Sequence, residues 1–251
     1  MHIDAVVFDL GGTLLEYAGT IETWPELEGP GLAAAHGYLA SSGISLPDTY
    51  EFQKSGFELL PTRWQMATSG KRNLTVPSLL EAILDEYSIA PPGDEILREA
   101  AFHYQRAVCS GVSPIPGGIE TLESLKGSGF KLGLVSNTMF DGQMHVDDMR
   151  RYDLAGFFDA MVFSADVNKW KPNLAVFNHI LEELDVQAER AVFIGDDPNV
   201  DVAGGKNSGL YTIHFRSSQR FSPVDGLVPD AVIHSLAEVP PLISGLNRDG
   251  R

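Results

Sequence analysis

The sequence predicts an α/β protein: a parallel sheet core with a helical block inserted after the first strand. Three observations lead there. An apolar run, Ala5-Val6-Val7-Phe8, delivers Asp9 into the glycine turn Gly11-Gly12-Thr13. Helix patterns without strong strand signals fill the stretch from residue 16 to residue 111. From Pro114 onward, short apolar runs alternate with helical segments, as strands buried on both faces do.

In the insert, 32–39 reads as a helix stopping near Gly43, where glycine suits a helix C-terminus. Asp48, with Glu51 three residues on, has the spacing of a capping box. Leu79, Leu80, Ile83 and Leu84 repeat at helical spacing within 76–87. Asp94 is placed to cap a helix whose one face carries Ile96, Leu97, Ala100, Ala101, Tyr104 and Val108. Pro91-Pro92-Gly93 separates these last two helices. Strands are expected at 131–135, 160–163, 191–194, 210–215 and 231–233. Helices are expected between them at 119–128, 143–152, 174–184 and 200–207. Residues 245–251 are polar enough for a frayed tail.

Composition excludes several classes. The chain has 251 residues, 43% of them hydrophobic, which suffices for a sizeable core. A formal charge of −16 argues against nucleic acid or an anionic membrane as partner. No apolar run approaches the ~20 residues of a membrane helix, and the N-terminus does not read as a signal peptide. The expected location is cytoplasmic. Cys109 is single, so it forms no internal disulfide, and it reads as a buried small hydrophobe.

Four segments end at or just after an expected strand, each with residues a phosphate site would use. They are Asp9 with its glycine turn, Ser136-Asn137-Thr138, Lys169-Trp170-Lys171-Pro172, and Gly195-Asp196-Asp197-Pro198-Asn199-Val200-Asp201. Taken singly, each has a plain structural reading. Ser-Asn serves as a turn or cap, Lys-Pro marks a helix start at Pro172, and an acidic run caps a helix. Taken together, their order and spacing resemble the four motifs of the haloacid dehalogenase-like hydrolase superfamily over essentially the whole chain.

The resemblance implies a Rossmann-like core (1–15 and 112–251) under a helical cap (16–111). It implies a Mg²⁺-dependent phosphatase acting on a small phosphorylated metabolite. Asp9 would be the nucleophile forming an aspartyl-phosphate, Ser136 would bond the phosphoryl group, and Lys171 would neutralise charge on both. Gly12, Ser136, Asn137 and Lys171 would contact the substrate. Asp9, Asp196 and the Gly11 carbonyl would hold the metal, supported by Asp201. Oxygen ligands of this kind suit Mg²⁺.

The usual first motif is Asp-x-Asp-x-Thr, and Gly11 stands where its second Asp donates a proton to the leaving group. Glycine keeps the carbonyl and loses an acid/base worth ~10²–10⁴-fold. Two alternatives follow: a degenerate member that only binds a phosphorylated ligand or a protein, and a dehalogenase. Asp197 reads as a helix cap, Thr13 as a turn-fixing residue and Trp170 as a packing aromatic. Arg63, Trp64, Lys71 and Arg72 form a basic cluster read as a solvated helix face. No histidine falls within a motif.

Overall fold

The structure, a computed structural model, describes residues 2–17, 27–216, 221 and 224–249. Among these, the main sheet has six parallel strands: β1 (Ala5–Phe8), β4 (Lys131–Ser136), β5 (Ala160–Phe163), β6 (Ala191–Gly195), β7 (Tyr211–Phe215) and β8 (Ala231–Ile233), ordered β5-β4-β1-β6-β7-β8. β1 lies between β4 and β6, and all four of its residues are buried. That explains its wholly apolar sequence.

Side chains alternate across β1. Ala5 and Val7 join Phe177, Ile180 and Phe193 on one face, while Val6 and Phe8 join Leu132, Leu134 and Ile194 on the other. The order reverses at β1, and open parallel sheets place ligands at the carboxyl ends of the strands beside such a reversal. Phe8 pairs in register with Leu134 and with Ile194. Asp9, Ser136 and Asp196 therefore emerge on one sheet edge.

A two-stranded antiparallel pair, β2 (Leu15–Glu16) with β3 (Ser113–Pro114), brackets the helical block. The block comprises α1 (Gly29–Ser41), α2 (Thr49–Thr68), α3 (Val76–Glu86) and α4 (Asp94–Val108), with no strand among its described residues. The Asp48 side chain accepts from Glu51 N–H at 3.0 Å, as the spacing predicts. Gly93, rather than Asp94, is the N-cap of α4, and Asp94 is its first helical residue. The buried face of α4 is Leu97, Ala100, Ala101 and Tyr104. Cys109, just beyond, is buried.

Helices α5 (Gly118–Gly127), α6 (Gly142–Arg151), α7 (Ser164–Val167), α8 (Leu174–Leu184), α9 (Ala203–Asn207) and α10 (Val239–Asp249) complete the core. Three expectations need correction. Pro172 does not start α8: Asn173 is the N-cap, its side chain accepting from Ala175 N–H at 2.9 Å, and Pro172 lies outside behind a cis Lys171–Pro172 bond. The helix expected over 200–207 is two pieces, a π-turn at Pro198–Val202 and then α9. The polar C-terminus is not frayed through residue 249. Helix α10 buries Val239 and Ile243, and Asn247 bonds both backbone groups of Ile3 at 2.6 and 3.2 Å. Residues 250 and 251 lie outside the described set. Among the described residues, no helix is long and apolar enough to cross a membrane.

Candidate active site

Asp9 follows the last residue of β1, where its N–H donates to Ile194 O at 2.8 Å and ties it to the tip of β6. Asp9 is 6% exposed, and its carboxylate is held on both sides. Thr13 Oγ1 donates to Oδ2 at 3.1 Å, and Lys171 Nζ donates to Oδ1 at 2.6 Å. Thr13 thus does more than fix the turn: it orients the carboxylate. Gly12 is in the left-handed region (φ +87°), which glycine alone enters at no cost. Its N–H donates to Leu15 O at 2.8 Å, which engages that donor in the turn.

Lys171 Nζ also lies 2.7 Å from Asp201 Oδ1, an ion pair between two buried groups. Burial alone would lower the lysine pKa, but Asp201 and Asp9 overcome it and push it up, so the ammonium stays charged. Asn137 explains how a lysine is held there. Its Oδ1 accepts from Lys171 N–H at 2.8 Å and its Nδ2 donates to Lys171 O at 2.9 Å. The Asn137 side chain is therefore a brace for Lys171, while the residue also lines the cavity.

Asp196 leaves the end of β6, and Asp201 returns from the π-turn four residues beyond Asp197, accepting from Asp197 N–H at 3.0 Å. The Asp201 carboxyl lies directly over the α-carbon of Gly195, in space any β-carbon would fill. Asp197 accepts from Asn199 N–H at 2.8 Å, the capping role expected of it. Asp9, Asp196 and Asp201 are buried, with one carboxylate oxygen of each within 4.8 Å of the others. Three carboxylates meet one lysine, and burial together with Asp9 and Asp197 pushes the Asp201 pKa up. A set of hard oxygen donors carrying surplus negative charge is what a divalent cation such as Mg²⁺ neutralises. The residues fit that ion.

The cluster opens into a cavity of about 540 Å³ lined at this end by Asp9, Gly11, Ser136, Asn137, Lys171 and Asp196. Its other walls include Tyr17, Glu28 and His145, residues that sequence reasoning passed over. Tyr17 lies against Gly11, its Cδ2 3.4 Å from the position of an added β-carbon. Its hydroxyl meets His145 Nδ1 at 2.7 Å, and His145 Nε2 meets Thr138 Oγ1 at 2.7 Å. His145 is stacked between Phe140 and Phe163, and burial lowers its pKa to about 4, so the ring is neutral. No local signal marks it, since it sits mid-helix in α6 and reaches the cavity only through the packing of that helix.

The basic cluster is not one solvated helix face: Lys71 and Arg72 are exposed but lie beyond the end of α2, Arg63 is half-buried, and Trp64 lines the cavity. Trp64 packs edge-on against Trp170, centroids 5.1 Å apart. Trp170 is 2% exposed and donates from Nε1 to Asn73 Oδ1 at 2.9 Å, joining the Lys171 segment to the helical block.

Fold and site together define an α/β enzyme with its polar groups gathered at the carboxyl edge of a parallel sheet. The chain belongs to the haloacid dehalogenase-like hydrolases, whose family profile matches residues 3–209. Among its relatives, a ribulose-1,5-bisphosphate 5-phosphatase of Halopiger xanaduensis is 30% identical over 86% of this chain and 85% of its own. A phosphoglycolate phosphatase of Salmonella typhi is 27% identical over 96% and 93%. In structure, a 2-haloacid dehalogenase of Pseudomonas syringae superposes with a TM-score of 0.68 at 25% identity, over 97% of this chain and 99% of the other. The protein is thus a hydrolase whose curated relatives here are phosphatases.

Proposed function

We propose that the protein is a Mg²⁺-dependent phosphatase of a small phosphorylated metabolite, with Asp9 as nucleophile. The observation that carries this reading is the buried Asp9–Lys171–Asp201 chain beside Asp196, opening on a cavity of about 540 Å³. The phosphatase relatives support the substrate class. Asp9, Asp196 and the Gly11 carbonyl would hold the ion, with Asp201 steadying the group through Lys171. When bound, Mg²⁺ offsets the charge of the phosphoryl oxygens and of the carboxylates.

An Asp9 oxygen attacks phosphorus while the bond to the leaving oxygen breaks, giving an acyl phosphate on Asp9 and an alcohol whose proton comes from solvent, since Gly11 supplies none. Water then attacks the same phosphorus, releasing phosphate and restoring the Asp9 carboxylate. Lys171 stabilises charge on Asp9 and on the equatorial oxygens throughout, and Ser136, buried at the tip of β4, faces the phosphoryl group. Positioning and charge stabilisation of this kind are most of what phosphoryl transfer requires. The helical block, residues 16–111, acts as a cap that excludes water and selects substrate.

One observation favours a second reading. Gly11 offers no acid/base, and Tyr17 fills the space beside it. A site altered there suits a member that retains ligand binding and turns over slowly or not at all. A dehalogenase fits less well, because three buried carboxylates serve no purpose there without a cation.

A panel of aryl, acyl and alkyl phosphates, assayed with and without Mg²⁺, tests the proposal. Hydrolysis that needs the metal and is abolished by Asp9→Asn supports the phosphatase. Phosphate-ester binding with no turnover of any panel member supports the binding module.

A further inference from the structure

The far wall of the cavity contains a carboxylate that the phosphoryl chemistry leaves unused. We infer that Glu28 forms a second polar subsite, which binds a hydroxyl group on the organic part of the substrate. The inference deepens the phosphatase reading and rests on it for the phosphate end of the ligand.

Glu28 lines the same cavity as Asp9 and Ser136 and is only 6% exposed. Among the described residues its Oε2 makes no hydrogen bond of good geometry, and its one close polar neighbour is the buried Tyr104 hydroxyl, whose hydrogen bond to it is too weak to offset the burial. A buried carboxylate oxygen without a good partner costs free energy, so its retention calls for an explanation. Helix capping does not supply one. Glu28 precedes α1 but makes no side-chain capping bond. An ion pair does not either, since the groups that act on its charge are Tyr104 and Cys109, and neither is a cation.

Around it, Leu27, Pro30, Val108 and Phe140 give the wall an apolar lining suited to a short carbon skeleton. Burial raises the Glu28 carboxyl to about 7, so it is present as both acid and anion near neutrality. A hydroxyl donates and accepts, and so matches either form. An ammonium matches only the anion, and a second phosphate or carboxylate meets repulsion.

The test uses matched pairs of short phosphate esters, alkyl against ω-hydroxyalkyl of equal length, with the ω-ammonioalkyl esters as a third series. Binding is measured by calorimetry with Mg²⁺ on Asp9→Asn, so that turnover does not enter. At the length that reaches Glu28, the hydroxylated ester should bind about tenfold tighter or more, the usual yield of a hydrogen bond to a charged group. Adding Glu28→Leu should erase that difference, while Glu28→Gln should keep part of it. Equal binding in every pair, a difference that survives Glu28→Leu, tightest binding of the ammonium series, or no binding at all would each overturn the subsite. Loss of all turnover in the unmodified protein, with the hydroxyl preference intact, would overturn the phosphatase reading and leave the subsite standing.

Discussion

The ring of Tyr17 rests on Gly11, with Cδ2 3.4 Å from where a β-carbon at that position would stand. That is ordinary van der Waals contact, and the left-handed backbone of this turn belongs to Gly12. Residue 11 therefore tolerates a side chain, and the obstacle to a carboxylate is the neighbouring ring, not the main chain.

Gly11→Asp should accordingly fold and raise phosphatase activity. The gain should be larger on alkyl phosphates than on aryl ones, because proton donation matters most for the more basic leaving oxygen. Its ceiling is ~10²–10⁴-fold, and pairing it with Tyr17→Val, which clears the ring, should bring it closer to that ceiling. Rates plotted against leaving-group pKa read this out directly. An unchanged slope in a folded, Mg²⁺-binding variant would show that the site differs by more than one side chain.

Lys171→Met should be costly to the fold. It removes the only cation seen against Asp9 and Asp201 among the described residues, leaving buried like charges uncompensated. Breaking such a pair costs about 3–5 kcal/mol, measurable by urea denaturation. Combining it with Asp201→Asn should recover part of the loss. No recovery would mean that the carboxylates do not repel one another as the geometry implies.

Glu28 and His145 should pull the pH dependence of stability in opposite directions. The Glu28 pKa rises from 4.5 to about 7 on folding, so between those values the folded state binds the extra proton and stability falls as pH rises. The His145 pKa drops from 6.5 to about 4, so between those values the unfolded state binds it and stability rises with pH. Each contributes a slope of about 1.4 kcal/mol per pH unit where fully expressed. Relative to the unmodified protein, Glu28→Gln should make stability climb more steeply between pH 4.5 and 6.5, and His145→Gln should make it climb less. Parallel curves for all three proteins would contradict both assignments.

Gly195→Ala should displace Asp201, because the new methyl group occupies the space of its carboxyl. Overpacking of this kind costs roughly 1–3 kcal/mol. Beyond that loss, the rise in Tm that bound Mg²⁺ should give the parent should be absent from the variant, since the acidic group would be out of place. An undiminished Mg²⁺-dependent Tm shift would remove Asp201 from the metal site.

The sequence by itself determined the class of fold and the residues at the sheet edge. An apolar β1 buried on both faces, helices marked by spacing and caps, and four polar strand tips are all local patterns, and Asp9, Ser136, Lys171, Asp196 and Asp201 lie on them. What those residues touch is a different matter. In the chain nothing marks that the Asn137 side chain braces Lys171 or that the Gly12 N–H closes a turn. Hydrogen bonds between segments 34 residues apart leave no local trace. The second half of the cavity was decided by tertiary structure alone. Tyr17, Glu28 and His145 come from the residue after β2, a helix start and a helix middle, and only tertiary packing brings them to one cavity. Periodicity reports which face of an element is buried, but not what that face meets.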